Sequence, residues 1–402
     1  MANSLDDQLK AFGVAQILVI LKHPPRAAVG ARPSAALAAA IPVSASRIAA
    51  GSGQADVMQL AKYFTVRETG SDTAMAVMAK AHKVATAGTR WLALAKSSTS
   101  ATPAVRYFPN LGVMFGTADK SGVNALRAHS RVENVVAPPV LSLIRPVAAA
   151  AIKPKKQYTW GIKRLKANAL HKKGITGQGV IVGHLDTGAD GKHPALPSSA
   201  FHAFAEFDDL GFEVTPAPAP HDTDDHGTHT AGTIAGRTVN GRAIGMAPEA
   251  TLASAIVIEG GNVVARILGG MDWIIGQGSR ILSMSLGIRG YTDDFLTLTQ
   301  LLRTRGVLPI FAVGNEGPGT SRSPGNYPEA LSVGAMDDNN KVADFSSSRL
   351  FVRTIDPLVP DLVAPGVGII SAKPGGGYQE MDGTSMATPH IAGLAALLMQ
   401  AN

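Results

Sequence analysis

The sequence has 402 residues, of which 45% are hydrophobic and 17% charged, a composition that is typical of a globular protein and excludes an intrinsically disordered chain. Cysteine is absent, which excludes disulfide bonds, thiolate catalysis and cysteine-ligated metals. The apolar runs, such as residues 16–21, have the length of a strand, so neither a membrane span nor a membrane partner is predicted.

The formal net charge of +7 is distributed unevenly along the chain. Residues 1–155 hold 18 lysines and arginines against 7 acidic residues, whereas residues 156–402 hold 19 against 23. The basic part either binds an external polyanion or docks on the acidic part of its own chain. Its basic residues are scattered and have few aromatics among them, unlike a platform on which nucleic-acid bases stack. The pattern favours docking within the chain and predicts no nucleic-acid partner.

Residues 1–7 contain neither a basic segment nor an apolar segment of the kind that begins a secretory signal peptide. No such signal is expected in this sequence. The compartment therefore stays open between the cytoplasm and export by another route.

The first 145 residues carry the pattern of an α+β domain. The predicted elements are, in order, a strand at 16–22, a loop at 24–55, a helix at 72–87, strands at 106–108 and 111–115 around the turn Pro109-Asn110, a helix at 119–129 and a strand at 132–137. Strand, helix, two strands, helix and strand is the order of a ferredoxin-like unit. We therefore predict a ferredoxin-like α+β domain over residues 1–145, followed by a charged, small-residue linker over 146–156.

Residues 157–402 carry the pattern of an α/β domain. Predicted strands near 180–185, 252–258, 281–285, 308–313 and 331–335 alternate with predicted helices near 227–236, 262–276, 294–305 and 386–400. This alternation favours a parallel sheet with helices on both faces. Ligands of such folds bind at the carboxyl ends of the strands, where Asp186, Ser285 and Asn315 are expected to lie.

Four motifs in this domain carry side chains suited to catalysis. They are Asp186 at the end of a predicted strand, His226 at the start of a small-residue helix, Asn315 after a later strand, and Ser385 at the start of the last helix. A serine at a helix N-terminus lies beside unpaired backbone N–H groups, which favour the negative charge of an oxyanion. Aspartate, histidine and serine in this order along the chain form one of the known orders of a catalytic triad.

Each of these residues also has an ordinary structural interpretation. Ser385 alone would be a helix cap, and Asn315 alone would be a turn residue between glycines. His229, close after His226, is expected to be buried and hydrogen-bonded. Ordinary roles are also predicted for the other histidines singled out, which are His184, His193, His221 and His390.

Together, the four motifs resemble those of the subtilisin-like serine proteases, the subtilase family, over the segment from about Trp160 to the end of the sequence. The resemblance implies that Ser385 is the nucleophile, that His226 is the general base and then the acid, and that Asp186 orients the imidazole. It also implies that Asn315 and the backbone N–H of Ser385 hold the oxyanion. The expected activity is that of a serine endopeptidase, which acts on polypeptides through an acyl-enzyme intermediate.

The resemblance implies a substrate-binding strand as well. Ser285, Leu286 and Gly287 match the strand on which subtilases pair the backbone of an extended substrate, and Gly314 would frame the pocket for the residue before the scissile bond. The loop after Asn315 is shorter than in typical subtilases and carries Arg322. A reshaped pocket is therefore expected.

Residues 1–145 resemble, by layout more than by motif, the inhibitory prodomain that precedes many subtilases. This implies a zymogen that inhibits and processes itself, with the segment near 140–150 extended through the active-site cleft. Two rival interpretations remain open: a protease fold used only as a scaffold that docks peptides, and an independent basic domain on a tether. The presence of all four motif residues disfavours the scaffold.

No metal and no cofactor are predicted. The resemblance would imply a strong calcium site, but Ala195 stands where a liganding aspartate is expected, Lys156 stands about where a glutamine is expected, and Asn240 is the clearest oxygen donor of the loop 237–243. A catalytic metal held by the two histidines of residues 226–229 and the aspartates before them is a weaker alternative. No glutamate completes a His-Glu-x-x-His zinc motif there.

Overall fold

A computed structural model of the chain describes residues 4–22, 52–65, 105–139, 141–152, 155–258 and 263–402. The described residues form two compact units. Those up to Pro138 belong to the first unit, and almost all of those from Pro139 onward belong to the second. Each unit is built around its own hydrophobic core.

The first unit contains an antiparallel sheet. Its strands are Val14–Leu21, Val105–Phe108, Val113–Asp119 and Val132–Val136, with the first and third of these at the centre. Its described helices are Leu5–Phe12, Ser52–Ala61 and Lys120–Ala128. Ala15, Ile17 and Val19 of the first strand enter the core, because alternate side chains of a strand point to the same face.

The strand order and pairing of this unit are those of a ferredoxin-like fold, as expected from the sequence. Asp119 caps the helix Lys120–Ala128 by accepting from the backbone N–H of Gly122, and this bond lowers the pKa of the Asp119 carboxyl. The helix Leu5–Phe12 has no counterpart in the prediction. The helix Ser52–Ala61 begins inside the predicted loop 24–55. The Gly and Ser content of this stretch favours a loop, but Val57 and Leu60 are buried in the core. The predicted helix at 72–87 lies outside the described residues.

The second unit contains a seven-stranded sheet in which every pairing is parallel. In spatial order its strands are Leu362–Pro365, Leu331–Met336, Leu308–Ala312, Ile281–Met284, Ile181–Asp186, Thr251–Ile256 and Phe201–Glu206. Every predicted strand is present within two residues of its expected bounds. The outermost strands, 201–206 and 362–365, have no counterpart in the prediction, because an edge strand is only partly buried and its sequence is less uniformly apolar.

Helices cover both faces of this sheet, which confirms the predicted α/β architecture. The longer ones are His226–Ala235, Val263–Gly276, Leu296–Thr304 and Thr384–Ala401, and two short helices, Trp160–Arg164 and Ala167–His171, precede the first strand. Small residues on the serine-bearing helix allow close packing. A Cβ at Gly393 would lie 2.5 Å from the Cβ of Met246, so no larger residue fits there without a shift.

The structure corrects the predicted linker at 146–156. Residues Ala148–Ile152 form a strand that pairs antiparallel with Gly377–Asp382, which in turn pairs with Ile369–Lys373. The alanine side chains of 148–151 are exposed, as expected for residues with little to bury. Their backbone groups nevertheless continue a sheet. A run of small residues has little side-chain surface to bury, and for that reason the sequence predicts a linker. The composition does not indicate whether the backbone N–H and C=O groups pair in a sheet.

The remaining described elements are short. They are the 3₁₀ turn Ser198–Ala200 and the paired strands Ser142–Leu143, Leu286–Arg289 and Arg322–Ser323, with Arg349–Leu350 and Leu358–Val359 as a separate hairpin. None of the described helices combines the length and the apolar character that a membrane crossing requires.

Candidate active site

Asp186 and His226 form a hydrogen-bonded pair at the carboxyl end of the parallel sheet. Asp186 is the last residue of its strand, and His226 is the first residue of its helix. Nδ1 of His226 lies 2.7 Å from Oδ1 of Asp186, and the two side chains are only 1% and 2% exposed. The backbone N–H of Thr187 donates to the same oxygen at 2.8 Å. The pair is therefore held in a fixed, buried position.

Burial and pairing act in opposite directions on these two groups. Burial raises the pKa of Asp186, but the interaction with His226 outweighs it, and the pKa lies below its usual value. Burial lowers the pKa of His226, but the carboxylate of Asp186 outweighs it, and the pKa lies above its usual value. The pair thus keeps the aspartate ionised and stabilises the protonated imidazole.

A buried threonine and a buried histidine hold the second oxygen of Asp186. Oγ1 of Thr230 lies 3.2 Å from Oδ2, and Nε2 of His184 lies 2.8 Å from that hydroxyl. The other nitrogen of His184 lies 2.9 Å from Oγ of Ser254. Burial lowers the pKa of His184 to about 4, so its imidazole is neutral at pH 7. His184 thus has the structural role predicted for it.

Ser385 is the second residue of the helix Thr384–Ala401 and is fully buried. Its hydroxyl donates to the carbonyl oxygen of Ile144 at 2.6 Å. Nε2 of His226, the nitrogen not bonded to Asp186, is also buried and has no hydrogen-bond partner among the described residues. An unpartnered buried nitrogen is uncommon in a folded protein. Nε2 is the atom that could accept a proton at this site.

Asn315, which follows the strand Leu308–Ala312, contacts the start of the serine-bearing helix. Its Oδ1 accepts from the backbone N–H of Thr384 at 2.9 Å and from the hydroxyl of Thr384 at 2.8 Å. These two bonds fix the orientation of the amide. Its Nδ2 donates to the carbonyl oxygen of Arg145 at 2.9 Å, so the predicted oxyanion donor is already bound to a peptide carbonyl.

Residues 141–152 cross this site as an extended segment of the second unit. Ser142–Leu143 pairs antiparallel with Leu286–Gly287, and the N–H of Ile144 donates to the carbonyl of Ser285 at 3.0 Å. Further along, the N–H of Val147 donates to the backbone carbonyl of Asp382 at 2.8 Å, and the strand Ala148–Ile152 follows. The segment therefore occupies the strand edge to which the sequence assigned substrate pairing.

Arg145 adds an ion pair between the segment and the loop before His226. Its guanidinium bonds to the carboxylate of Asp224. Burial raises the pKa of Asp224, but the hydrogen bond from Arg145 and those from Asp225 outweigh it and lower the pKa to about 2. The arginine side chain remains 64% exposed, so the pair lies at the surface of the site.

A cavity of about 390 Å³ lies beside the segment. It is lined by residues 142–147 together with Arg289, Asn315, Glu316 and Arg322. Nε of Arg322 donates to Oε1 of Glu316 at 2.9 Å, and its Nη2 makes a second bond to the same oxygen. Gly314 adjoins this pair, because a Cβ at Gly314 would lie 2.7 Å from Oε2 of Glu316. The pocket expected beside Gly314 thus contains an ion pair.

The four other histidines singled out in the sequence bond to backbone carbonyls. The partners are Ile369 for His229 at 2.9 Å, Gly377 for His193 at 2.7 Å, Met386 for His390 at 2.8 Å and Ala219 for His221 at 3.0 Å. Burial lowers the pKa of His229 to about 3 and that of His390 to about 4. These histidines have the ordinary structural roles predicted for them.

In the part of the chain that the structure describes, no group of three His, Asp or Glu side chains is placed to hold a metal ion. Where the resemblance implied calcium, Ala195 is buried and Arg237 begins the loop. The Arg237 guanidinium donates to the carbonyls of Ala235 at 3.1 Å, Ala250 at 3.0 Å and Ser199 at 2.8 Å. The positively charged side chain of Arg237 therefore provides hydrogen bonds to the backbone oxygens in this region. The weakness of any calcium site here stays a prediction.

Three residues that support the site were not identified from the sequence. Thr230 lies four positions after His226 on one helix, so helical spacing could have indicated it. Thr384 directly precedes Ser385 but acts by donating to Asn315, a contact that no helical spacing predicts. Glu316 follows Asn315, but its pairing with Arg322 depends on how the loop folds. No local pattern predicts that pairing.

Known proteins resemble this chain over its second part. Residues 177–402 match a family described as the subtilase family. M-protease of Shouchella clausii (strain KSM-K16) is 38% identical over 245 residues, 60% of this chain and 60% of that protein. Subtilisin Savinase of Lederbergia lenta is 38% identical over 245 residues, 60% of this chain and 84% of that protein. Subtilisin E of Bacillus subtilis (strain 168) is 36% identical over 246 residues, 60% of each. The match thus spans less than two thirds of M-protease and of Subtilisin E.

Proposed function

Because the chain belongs to the subtilase family, we propose that it is a serine endopeptidase that hydrolyses peptide bonds through Asp186, His226 and Ser385. One observation carries the proposal. The hydroxyl of Ser385 contacts a peptide carbonyl, that of Ile144, at 2.6 Å. A buried aspartate–histidine pair and an amide donor, Asn315, belong to the same site.

In the proposed reaction, Nε2 of His226 takes the proton of Ser385 while Oγ attacks the carbonyl carbon of the substrate. Asp186 stabilises the imidazolium that forms, because its carboxylate raises the pKa of His226. His226 then gives the proton to the leaving nitrogen, and an ester on Ser385 remains. Water hydrolyses that ester by the same steps, with His226 again acting first as base and then as acid.

The carbonyl oxygen becomes negatively charged during the attack. Nδ2 of Asn315 and the backbone N–H of Ser385 are the proposed donors to this oxyanion. Thr384 fixes the amide of Asn315 by donating twice to its Oδ1, so little reorganisation is needed when the charge forms. The helix that begins at Thr384 adds the positive end of its dipole at the same place.

Polypeptide substrates would bind as the segment 141–152 binds. Their backbone would pair with Ser285, Leu286 and Gly287, and the side chain before the scissile bond would enter the pocket beside Gly314. Pairing through the backbone gives affinity without reading the sequence of the substrate. Selectivity would therefore come mainly from the pocket.

We extend the proposal to self-processing and self-inhibition. Residues 1–145 would act as an inhibitory domain of the same chain, and the segment 141–152, which includes the end of that domain, would be the first substrate. The support is the extended course of residues 141–152 past Ser385, with backbone pairing on both sides of that serine. While the segment stays there, it excludes other peptides from the strand edge at 285–287.

The bond proposed for cleavage is Ile144–Arg145. Two carbonyls lie at the site, since Ser385 contacts that of Ile144 and Asn315 contacts that of Arg145. We assign the first because the nucleophile itself touches it and because the N–H of the same residue pairs with Ser285. Cleavage after Arg145 would instead have to break the tertiary amide bond to Pro146.

Mass spectrometry of the purified chain tests this assignment. Wild type should yield one fragment ending at Ile144 and another beginning at Arg145, whereas Ser385→Ala should remain one unbroken chain. The reason is that cleavage needs the hydroxyl of Ser385. If the Ser385→Ala chain is broken at the same bond as the wild type, a different protease makes the cut. A break after Arg145 would move the junction by one residue and leave the activity assignment standing.

The inhibitory role predicts that residues 1–144, made separately, inhibit the fragment 145–402. Opposite net charges should speed their encounter, so inhibition should weaken as salt rises. The matched control is 1–138, which lacks the residues that lie beside Ser285 and Gly287 and should inhibit at least about tenfold less well. If 1–144 fails to inhibit at low salt and the wild type also stays unprocessed, the basic domain is merely tethered.

A further inference from the structure

The cavity beside Ser142–Val147 carries an unequal number of positive and negative side chains. Apart from Arg145, its charged lining consists of two arginines, Arg289 and Arg322, and one carboxylate, Glu316. Arg145 lines the cavity as well, but its guanidinium pairs with Asp224. The cavity therefore has an excess of one positive charge after Glu316 is counted.

Arg322 is the buried member of this group, with its side chain 8% exposed. Besides its two bonds to Glu316, its Nη1 lies 3.3 Å from the carbonyl oxygen of Gly287 and 3.3 Å from Oγ of Ser142. The guanidinium thus joins the carboxylate to the strand that binds the segment. Truncating it would leave Glu316 without its main partner.

Arg289 supplies the charge that is not neutralised. Its Nε lies 3.4 Å from Oε1 of Glu316, the oxygen already bonded to Arg322, and its side chain is 77% exposed. Burial raises the pKa of Glu316, but the bonds and charge of Arg322, with a contribution from Arg289, hold the pKa below its usual value. Glu316 is therefore ionised at neutral pH, and one carboxylate faces two guanidinium groups.

The residue before the proposed scissile bond lies on the same side as this charge. Ser142 and Ile144 share a face of the extended segment, because alternate side chains of a strand point the same way. Oγ of Ser142 contacts Arg322, so that face is turned toward the arginine. The basic side chain of the segment, Arg145, is instead paired with Asp224.

We infer that Arg322 and Arg289 make this pocket select peptides with an acidic side chain directly before the scissile bond and reject those with a basic one. This inference rests on the proposed function, because it names the substrate class of the same site. The excess guanidinium charge would attract the carboxylate of a glutamate or aspartate, and it would repel the ammonium group of a lysine. Neutral side chains such as that of Ile144 are neither attracted nor repelled by this charge and still bind in the pocket.

The test compares three quenched fluorescent peptides that copy residues 141–145 but carry Glu, Gln or Lys at the position of Ile144. Gln has nearly the shape of Glu without its charge. Once self-processing has cut the chain and the inhibitory segment has left the cleft, the protein should cleave the Glu peptide about fivefold better in kcat/KM than the Gln peptide, and the Lys peptide about fivefold worse. Both ratios should shrink toward one as salt rises, since the effect is electrostatic.

Variants assign the preference to particular side chains. Arg289→Gln should bring the Glu-to-Gln ratio close to one, and because this arginine is exposed the variant should fold normally. Arg322→Gln should have the same effect if it folds, whereas Glu316→Gln should increase the ratio by removing the competing carboxylate. Arg303→Gln, at an exposed arginine that does not line the cavity, is the matched control and should leave the ratio unchanged.

The outcomes separate this inference from the proposed function. If no peptide is cleaved, or if cleavage survives Ser385→Ala, the proposed function fails and the inference fails with it. If cleavage depends on Ser385 but Glu and Gln peptides react equally, only the acidic preference is wrong. A preference that persists in Arg289→Gln and Arg322→Gln would overturn the assignment to these arginines.

Discussion

Replacing Ser385 by alanine should lower kcat for peptide hydrolysis by about 10⁶-fold, the size of the loss for the nucleophile of subtilisin itself, a member of the same family. The hydroxyl is the group that contacts the carbonyl of Ile144, and alanine offers no atom to form the ester. Hydrolysis of a quenched peptide measures the loss. Circular dichroism and thermal unfolding should be nearly unchanged, since the substitution removes one oxygen atom.

Ser332→Ala is the matched control for this prediction. Ser332 is fully buried, as Ser385 is, and its hydroxyl has no hydrogen-bond partner among the described residues. Its removal should leave turnover within about twofold of wild type. A reagent that acylates or sulfonylates activated serines should label Ser385 in the wild type and leave the Ser385→Ala chain unlabelled. Unchanged turnover in a folded Ser385→Ala protein would contradict the assignment of the nucleophile.

The positions of the motif residues could be predicted because each is tied to a local feature of the sequence. Asp186 ends a continuous apolar run, and His226 and Ser385 begin helices rich in small residues. In a parallel sheet such ends meet at one edge. Local patterns therefore placed three distant residues near one another, and the structure joins two of them at 2.7 Å.

Backbone pairing was harder to predict than side-chain burial. The strand Ala148–Ile152 has exposed side chains, so its sequence carries no apolar signal, yet it extends a sheet through its N–H and C=O groups. The pair Ser142–Leu143 with Leu286–Gly287 is similar, since it spans well over a hundred residues of chain. The family resemblance, rather than periodicity, suggested that this segment would lie in the cleft.

The charged pocket shows a third limit of sequence reasoning. The sequence marks Arg322 as a residue of a shortened loop but does not indicate its partner, Glu316. The two are six positions apart, with Arg322 in the short strand Arg322–Ser323 and Glu316 in the loop before it, so no helical or strand spacing relates them. The folded loop brings the guanidinium onto the carboxylate, and the antiparallel pairing of Arg289 with Arg322 adds the second arginine.

Replacing Asp186 by asparagine should lower kcat by about 10⁴-fold and should also move the acid limb of the pH–rate profile to lower pH. Burial alone lowers the pKa of His226, and the Asp186 carboxylate reverses that effect in the wild type. Asp222 and Asp224 raise this pKa as well, but less than Asp186 does, so the pKa of His226 falls when the Asp186 carboxylate is removed. The base acts only when neutral, so wild-type activity disappears as the pH falls through the raised pKa, while the residual activity of the variant persists further into acid.

The rate of hydrolysis of a quenched peptide should be measured from about pH 4 to about pH 10. The same data give kcat and the position of the acid limb. Asp344→Asn is the control, because this carboxylate is 88% exposed and pairs only with Lys341 among the ion pairs described. It should change neither quantity, since a surface ion pair contributes little. A variant that lost activity without any shift of the acid limb would mean that Asp186 acts through geometry alone. A loss below about tenfold would remove Asp186 from the triad, because the imidazolium would then need no buried counter-charge.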